Sequence, residues 1–170
     1  MISTHAIRTA TLEDAPRIAV LGAHVWLQTY AVTGVSDGIA RYVLEAFAVD
    51  KIRALSADPE VALLVAESRG NLGGYLAMRF NSYHADVANE IETLYIQESL
   101  TGRGIGSALL AHAREIAMTR TGTKAVWLAV NSRNVRAISF YQSRGLTQDG
   151  VTYFELGGTK HENIVMVAKN

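Results

Sequence analysis

The chain has 170 residues, with sixteen Lys and Arg set against sixteen Asp and Glu, no cysteine, and 49% hydrophobic residues. Balanced charge gives no basic surface for nucleic acid. The absence of cysteine excludes a disulfide scaffold and an acyl-cysteine intermediate and fits a cytoplasmic protein, and the length suits one domain over residues 1–170.

Met1-Ile2-Ser3-Thr4-His5 carries no signal-peptide pattern and leads into a predicted strand over 6–9. No apolar run is long enough to span a membrane. Thr11-Leu12-Glu13-Asp14 has the form of a capping box, Pro16 is tolerated only near a helix start, and a helix is expected to run to about Tyr30. Ser36 is placed to cap a second helix through Phe47, and Asp50 a short third one before Pro59. Residues 61–67 and 72–80 read as a hairpin around Arg69-Gly70-Asn71, followed by a strand over 87–96. Ile105, Ala108, Leu109, His112, Ala113, Ile116 and Ala117 fall at helical spacing. A buried strand with Trp127 is expected over 124–130, then a helix capped by Asn134 that ends near Gly145. Strands over 147–156 and 163–168 complete the chain, linked by Gly157-Gly158-Thr159-Lys160.

The centre of this order is Thr101-Gly102-Arg103-Gly104-Ile105-Gly106, between the strand Glu90-Ile91-Glu92-Thr93-Leu94-Tyr95-Ile96 and a helix. Glycines open backbone conformations closed to other residues and let a ligand approach. The free N–H groups and positive dipole end of the helix make an anion site there. No Lys follows as a P-loop requires, and the spacing is not Gly-x-Gly-x-x-Gly. A glycine-rich turn alone is often only a turn; three glycines in five positions around Arg103 favour a pyrophosphate.

Read with Val130-Asn131-Ser132-Arg133-Asn134-Val135-Arg136-Ala137-Ile138-Ser139-Phe140-Tyr141 and Gly145-Leu146, the segment resembles the GCN5-related N-acetyltransferase (GNAT) superfamily. Its acetyl-CoA loop reads Arg/Gln-x-x-Gly-x-Gly/Ala. The resemblance implies an α+β, three-layer α-β-α sandwich with a mixed, mostly antiparallel sheet, whose strands over 87–96 and 124–130 run parallel and splay apart. It implies acetyl-CoA as co-substrate, with pantetheine entering the gap against backbone near Leu94, Tyr95 and Ile96. The cofactor loop would be Thr101, Gly102, Arg103, Gly104, Ile105, Gly106 and Ser107. Asn134 would hydrogen-bond the pantetheine, Ala137 would be small where the cofactor passes, and Asn131 would be a further contact. Thr101 departs from the family's Arg or Gln and brings no charge; Arg103, Arg133 or Arg136 are the residues that could compensate.

An alkyl ammonium, with a pKa of about 10.4, costs roughly 4 to 5 kcal/mol to deprotonate at pH 7. Such an acceptor needs a base near the thioester. Glu90 and Glu92 lie two apart on one strand and project from the same face. Glu90 corresponds to the base of the family's histone-acetylating branch, and Glu92 lies nearer the thioester position. Either could instead merely solvate the strand end. Tyr141 matches the family tyrosine whose phenol protonates the departing CoA sulfur; a core tyrosine beside Phe140 is the plain alternative.

In the family the early helices form a wall of the acceptor pocket. Trp26, Tyr30, Tyr42 and Phe47 are its aromatic candidates; Trp26 and Phe47 read as core and Tyr30 as the pocket residue. His84 and His161 read as loop residues and His112 as helical; no histidine cluster has metal-ligand spacing. The 90–168 stretch is most similar to the bacterial spermidine/spermine branch, and Glu45, Asp50, Asp86, Glu90 and Glu92 could receive a polyamine. Other small amines, a protein N-terminus or a lysine stay open as acceptors, and a homodimer is compatible with the family. Rival readings are a non-catalytic acyl-CoA-binding regulator, which needs neither Tyr141 nor the glutamates, and a dinucleotide oxidoreductase.

Overall fold

The computed structural model describes residues 4–170, so Met1 to Ser3, part of the segment read for a signal peptide, lie outside the described residues. No described helix is long and apolar enough to cross a membrane. Among the described residues seven strands form one sheet in the order β1-β2-β3-β4-β5-β7-β6. They are β1 (Ala6–Thr9), β2 (Val61–Ser68), β3 (Asn71–Arg79), β4 (Glu90–Ile96), β5 (Val126–Asn131), β6 (Thr147–Leu156) and β7 (Thr159–Ala168). Only β4 and β5 pair in parallel; every other neighbour is antiparallel.

Strand residues alternate between two cores, so both faces of the sheet are covered. On one face Leu64, Leu76, Met78 and Ile91 pack against α4 (Ile105–Thr121) and Tyr141 of α5 (Val135–Ser143). On the other, Leu63, Val65, Tyr75 and Ala77 pack against α1 (Ala15–Tyr30) and Ile52 of α3 (Val49–Ala57). The short α2 (Asp37–Ala46) lies against α1 and reaches β6.

Most local signals act as the sequence implies. Asp14 closes the capping box on Thr11 and ends a short 3-10 turn, with α1 starting at Ala15 and Pro16 in its first turn. The Ser36 hydroxyl accepts from the Ile39 N–H at 3.3 Å and caps α2. Four readings are corrected. Asp50 sits in the first turn of α3, where it complements the dipole, and Ala48 is the cap. The buried stripe of α4 runs through Leu110 in place of the exposed His112. The last strand begins at Thr159, because Gly157 and Gly158, both at positive φ, make the turn by themselves. His161 is therefore a strand residue.

Candidate active site

The geometry begins with a seam that opens. At its closed end the Trp127 N–H donates to the Asn89 carbonyl at 2.9 Å, and the fully buried Asn89 amide donates to the Ala125 carbonyl at 2.9 Å. The Trp127 indole N–H reaches the Ser82 carbonyl at 2.8 Å. Glu90 and Trp127 are the sole registered pair between β4 and β5. Beyond it β4 continues only with β3 and β5 only with β7, so the facing edges of both strands are left without partners. Between them lies a cleft of about 1090 Å³.

The cleft ends at the glycine turn. Gly102 and Gly104 take φ of +76° and +82°, a region that favours glycine, and α4 starts at Ile105. The N–H groups of Ile105, Gly106 and Ser107 belong to the first helical turn, which has no acceptors of its own. Gly106 serves packing: a Cβ there would come within 3.3 Å of the Phe140 ring, so its absence lets α4 and α5 approach. Thr101, Gly102, Gly104, Ile105, Gly106 and Ser107 all line the cleft. Arg103 is exposed beside it and is absent from its wall.

Thr101 is supported from across the turn. Its hydroxyl donates to the Glu98 carbonyl at 2.7 Å and accepts from the Arg136 guanidinium at 2.5 Å. Of the three arginines that could compensate for the missing loop charge, Arg136 is the one in contact with Thr101.

The second motif lies on the opposite side. Asn131, Asn134, Ala137 and Tyr141 line the cleft, as do Leu94, Tyr95 and Ile96. Both asparagines, however, use their side-chain oxygens locally. The Asn134 oxygen accepts from the Ala137 N–H at 3.1 Å and caps α5. The Asn131 oxygen accepts from the Arg133 N–H at 2.9 Å and shapes the turn. Their amide NH₂ groups form no hydrogen bond among the described residues and are left to donate to a ligand. Burial pushes the Tyr141 phenol well above its usual pKa, so it is a neutral proton donor.

The two glutamates separate. The register jumps from Ala77↔Thr93 to Met78↔Ile91, making Glu92 the extra residue of a β-bulge. Glu92 lines the cleft, and one of its oxygens accepts from the Arg79 Nε at 2.5 Å. Arg79 is held in turn by Asp58 at 3.0 Å, and these bonds to Glu92 and Asp58 raise its pKa. Glu90 does not line the cleft; it lies at the closed end and accepts from the Ser82 hydroxyl at 2.5 Å.

Tyr30 reaches the opening from the α1 side. It stacks on the buried Trp26 at 4.5 Å and meets the His161 ring edge-on at 5.7 Å. Tyr42 and Phe154 extend this cluster behind it without lining the cleft. Phe47 packs on Gly22 of α1 instead. The sequence reading missed Arg79 and His161. No apolar alternation marks Thr159-Lys160-His161-Glu162-Asn163 as strand, and nothing local marks Arg79, which is defined by its partner across the sheet. No group of residues suited to a metal ion occurs among the described residues.

The family model described as the acetyltransferase (GNAT) family matches residues 24–146. An uncharacterized N-acetyltransferase of Mycobacterium bovis is 30% identical over 156 residues, covering 92% of this chain and 97% of that protein. An aminoalkylphosphonate N-acetyltransferase of Salmonella typhimurium is 28% identical over 144 residues, covering 84% of each chain. Among solved structures, the PaiA N-acetyltransferase of Thermoplasma acidophilum in complex with coenzyme A matches with a TM-score of 0.81. That match spans 98% of this chain and 99% of that one at 21% identity, a likeness of fold.

Proposed function

The chain belongs to the acetyltransferase (GNAT) family, and we propose that it acetylates a primary amine of a small molecule by direct attack in a ternary complex. As a member it is an N-acetyltransferase that uses acetyl-CoA as co-substrate. The observation that carries the fuller reading is the opening of β4 from β5 onto both the glycine turn and Tyr141. The CoA pyrophosphate would take the N–H groups of residues 105–107, with Arg136 supplying the charge that Thr101 lacks. Pantetheine would pair with the free strand edges at residues 94–96. Residues 1–170 would form one catalytic domain.

The chemistry assigned to each side chain is specific. Glu92 is the base: it faces the cleft, Arg79 and Asp58 orient it, and its second oxygen has no hydrogen-bond partner among the described residues. It accepts a proton from the ammonium, directly or through water. The amine nitrogen then bonds to the acetyl carbon, the C–S bond breaks, the thiolate takes the Tyr141 proton, and the second proton shed by the new amide nitrogen returns the tyrosinate to its phenol, directly or through water. Glu90, turned to Ser82, keeps the closed end of the seam. The absence of cysteine supports direct transfer. Tyr30 contributes to the acceptor wall.

A polyamine acceptor has less support than the sequence suggested. Glu45 is paired with Lys51, Asp50 with Arg53 and Asp86 with Lys169, so these carboxylates already have cations. Thiol release from acetyl-CoA over a panel of polyamines, amino acids, aminophosphonates and N-terminal peptides tests the reading. Release with a small primary amine is expected. Exclusive release with peptides would overturn the small-molecule assignment. Parallel double-reciprocal lines or a trapped acetyl-enzyme would overturn direct transfer.

A further inference from the structure

Beside the main cleft lies a second, small cavity of about 220 Å³. Asn131, Ser132, Arg133, Lys160, His161 and Glu162 line it. It shares Asn131, Arg133 and His161 with the main cleft, so the two spaces adjoin. The Arg133 guanidinium and the Lys160 ammonium form no ion pair or hydrogen bond among the described residues, and neither does the Ser132 hydroxyl. Glu162 is the single carboxylate in the wall and pairs with neither cation. Two unpaired cations against one carboxylate leave a positive concavity with spare donors, suited to an oxyanion.

The charge pattern around the site is asymmetric. Of the five carboxylates that could greet a polycation, Glu45, Asp50, Asp86 and Glu92 already hold Lys or Arg, whereas Arg133 and Lys160 form no ion pair among the described residues. Position separates this cavity from the pyrophosphate turn. The glycine turn opens α4, on one face of the sheet, and has Arg136 in contact with it. Lys160 and His161 lie at the start of β7, and His161 meets Tyr30 of α1, a helix of the opposite face.

We propose that this cavity is an oxyanion subsite for the acceptor, so that the favoured substrates are amines that also bear a carboxylate, phosphonate or phosphate. The proposal rests on the acetyltransferase reading above and names the acceptor class for that site. Lys160 and Arg133 hold the acidic group while the amine lies toward Glu92 and Tyr141. Glu162 opposes the anion and limits its affinity.

Matched acceptors test it. Thiol release from acetyl-CoA is measured with 2-aminoethylphosphonate, ethanolamine and spermidine, for the wild type, Lys160→Ala and Glu162→Gln. The wild type is expected to prefer 2-aminoethylphosphonate over ethanolamine by about tenfold or more in kcat/KM, the size of a charge-assisted contact. Lys160→Ala should remove most of that preference through KM, Glu162→Gln should increase it, and CoA affinity by calorimetry should stay within about twofold. A preference for spermidine, or one that survives Lys160→Ala, overturns the subsite. Weakened CoA binding in Lys160→Ala assigns the oxyanion to a CoA phosphate and overturns the acceptor assignment. An arm independent of turnover follows amide NMR shifts as 2-aminoethylphosphonate is titrated into the CoA-bound protein. Shifts at residues 160–162 that vanish in Lys160→Glu support the subsite even if no amine is acetylated, in which case the acetyl-transfer reading is what fails. Absence of those shifts in the wild type overturns it.

Discussion

The two walls of the cleft are built by different means. One is local and made largely of backbone: the 101–107 turn and the start of α5 supply N–H groups, glycine conformations and a cap. The other is assembled from distant segments and made of side chains: Tyr30 at the end of α1, Glu92 on the bulge of β4, and His161 at the start of β7. A backbone wall resists most substitutions and fails when its dihedrals are denied. A side-chain wall changes one residue at a time. This contrast fits a site that keeps one co-substrate and is free to vary its acceptor.

The largest effects should come from the proposed proton-transfer residues at the junction of the two walls. Tyr141→Phe is expected to lower kcat by about 10²-fold, the low end for general acid catalysis, because a thiolate is already a fair leaving group. CoA affinity should be retained, since only the hydroxyl is removed. Glu92→Gln is expected to cost about as much at pH 7, with the loss shrinking as pH rises toward the amine's pKa. Glu90→Gln should stay within about twofold, being outside the cleft. A pH–rate profile of kcat/KM for the three variants decides these roles. Full activity in Tyr141→Phe, or equal losses for both glutamines, would refute the assignment.

Next in size is the backbone wall itself. Gly104→Val forces a β-branched residue to φ near +82° at the start of α4. Kd for CoA should rise at least about tenfold, or about 1.4 kcal/mol. Calorimetry on a folded variant, with Tyr30→Ala as the contrast, sharpens the comparison: Tyr30→Ala should raise the amine KM and leave CoA affinity unchanged. If Tyr30→Ala weakens CoA instead, the division between walls is wrong.

A smaller effect probes the one side chain on which the backbone wall depends. Arg136→Ala should weaken CoA by about fivefold, roughly 1 kcal/mol for an exposed charge-assisted contact. Thr101→Arg, which restores the family's basic residue, should recover part of that loss in the double variant. Independent, additive effects by calorimetry would show that Arg136 does not stand in for the loop charge.

The smallest effect concerns pH. Burial raises the pKa values of the Tyr75, Tyr95 and Tyr141 phenols, so the folded state binds these protons more tightly than the unfolded chain. Their contribution to stability is therefore complete below the unfolded pKa of about 10 and declines as pH rises above it. Thermal melts between about pH 9 and 11 should show the fall, and Tyr141→Phe should reduce its slope. An unchanged slope would mean that Tyr141 does not titrate with unfolding.

Chain order, strand and helix identities and the glycine-turn wall of the cleft were legible in the sequence. The signals there are short-range: a cap acts over three residues, as from Asn134 to Ala137, and a positive-φ turn is written in its own glycines. The Thr101 departure was visible too, with Arg136 among three arginines that could answer it; which of the three reaches Thr101 was not, because Arg136 lies 35 positions away. The side-chain wall was the least legible. His161 was misplaced because two glycines suffice for a turn that four residues suggested, and the role of Arg79 exists only across the sheet.

Sequence alone thus determined the glycine turn and the cap, because each depends on neighbours within a few residues. It also placed Glu90 and Glu92 two apart on one strand. It could not separate them, since that depends on a register shift against β3 and on where β5 stops pairing. Hydrogen bonding between segments far apart in the chain sets both. Tertiary structure therefore decided that Glu92 faces the cleft with Arg79 and Asp58 behind it, while Glu90 lies at the closed end of the seam beside Ser82.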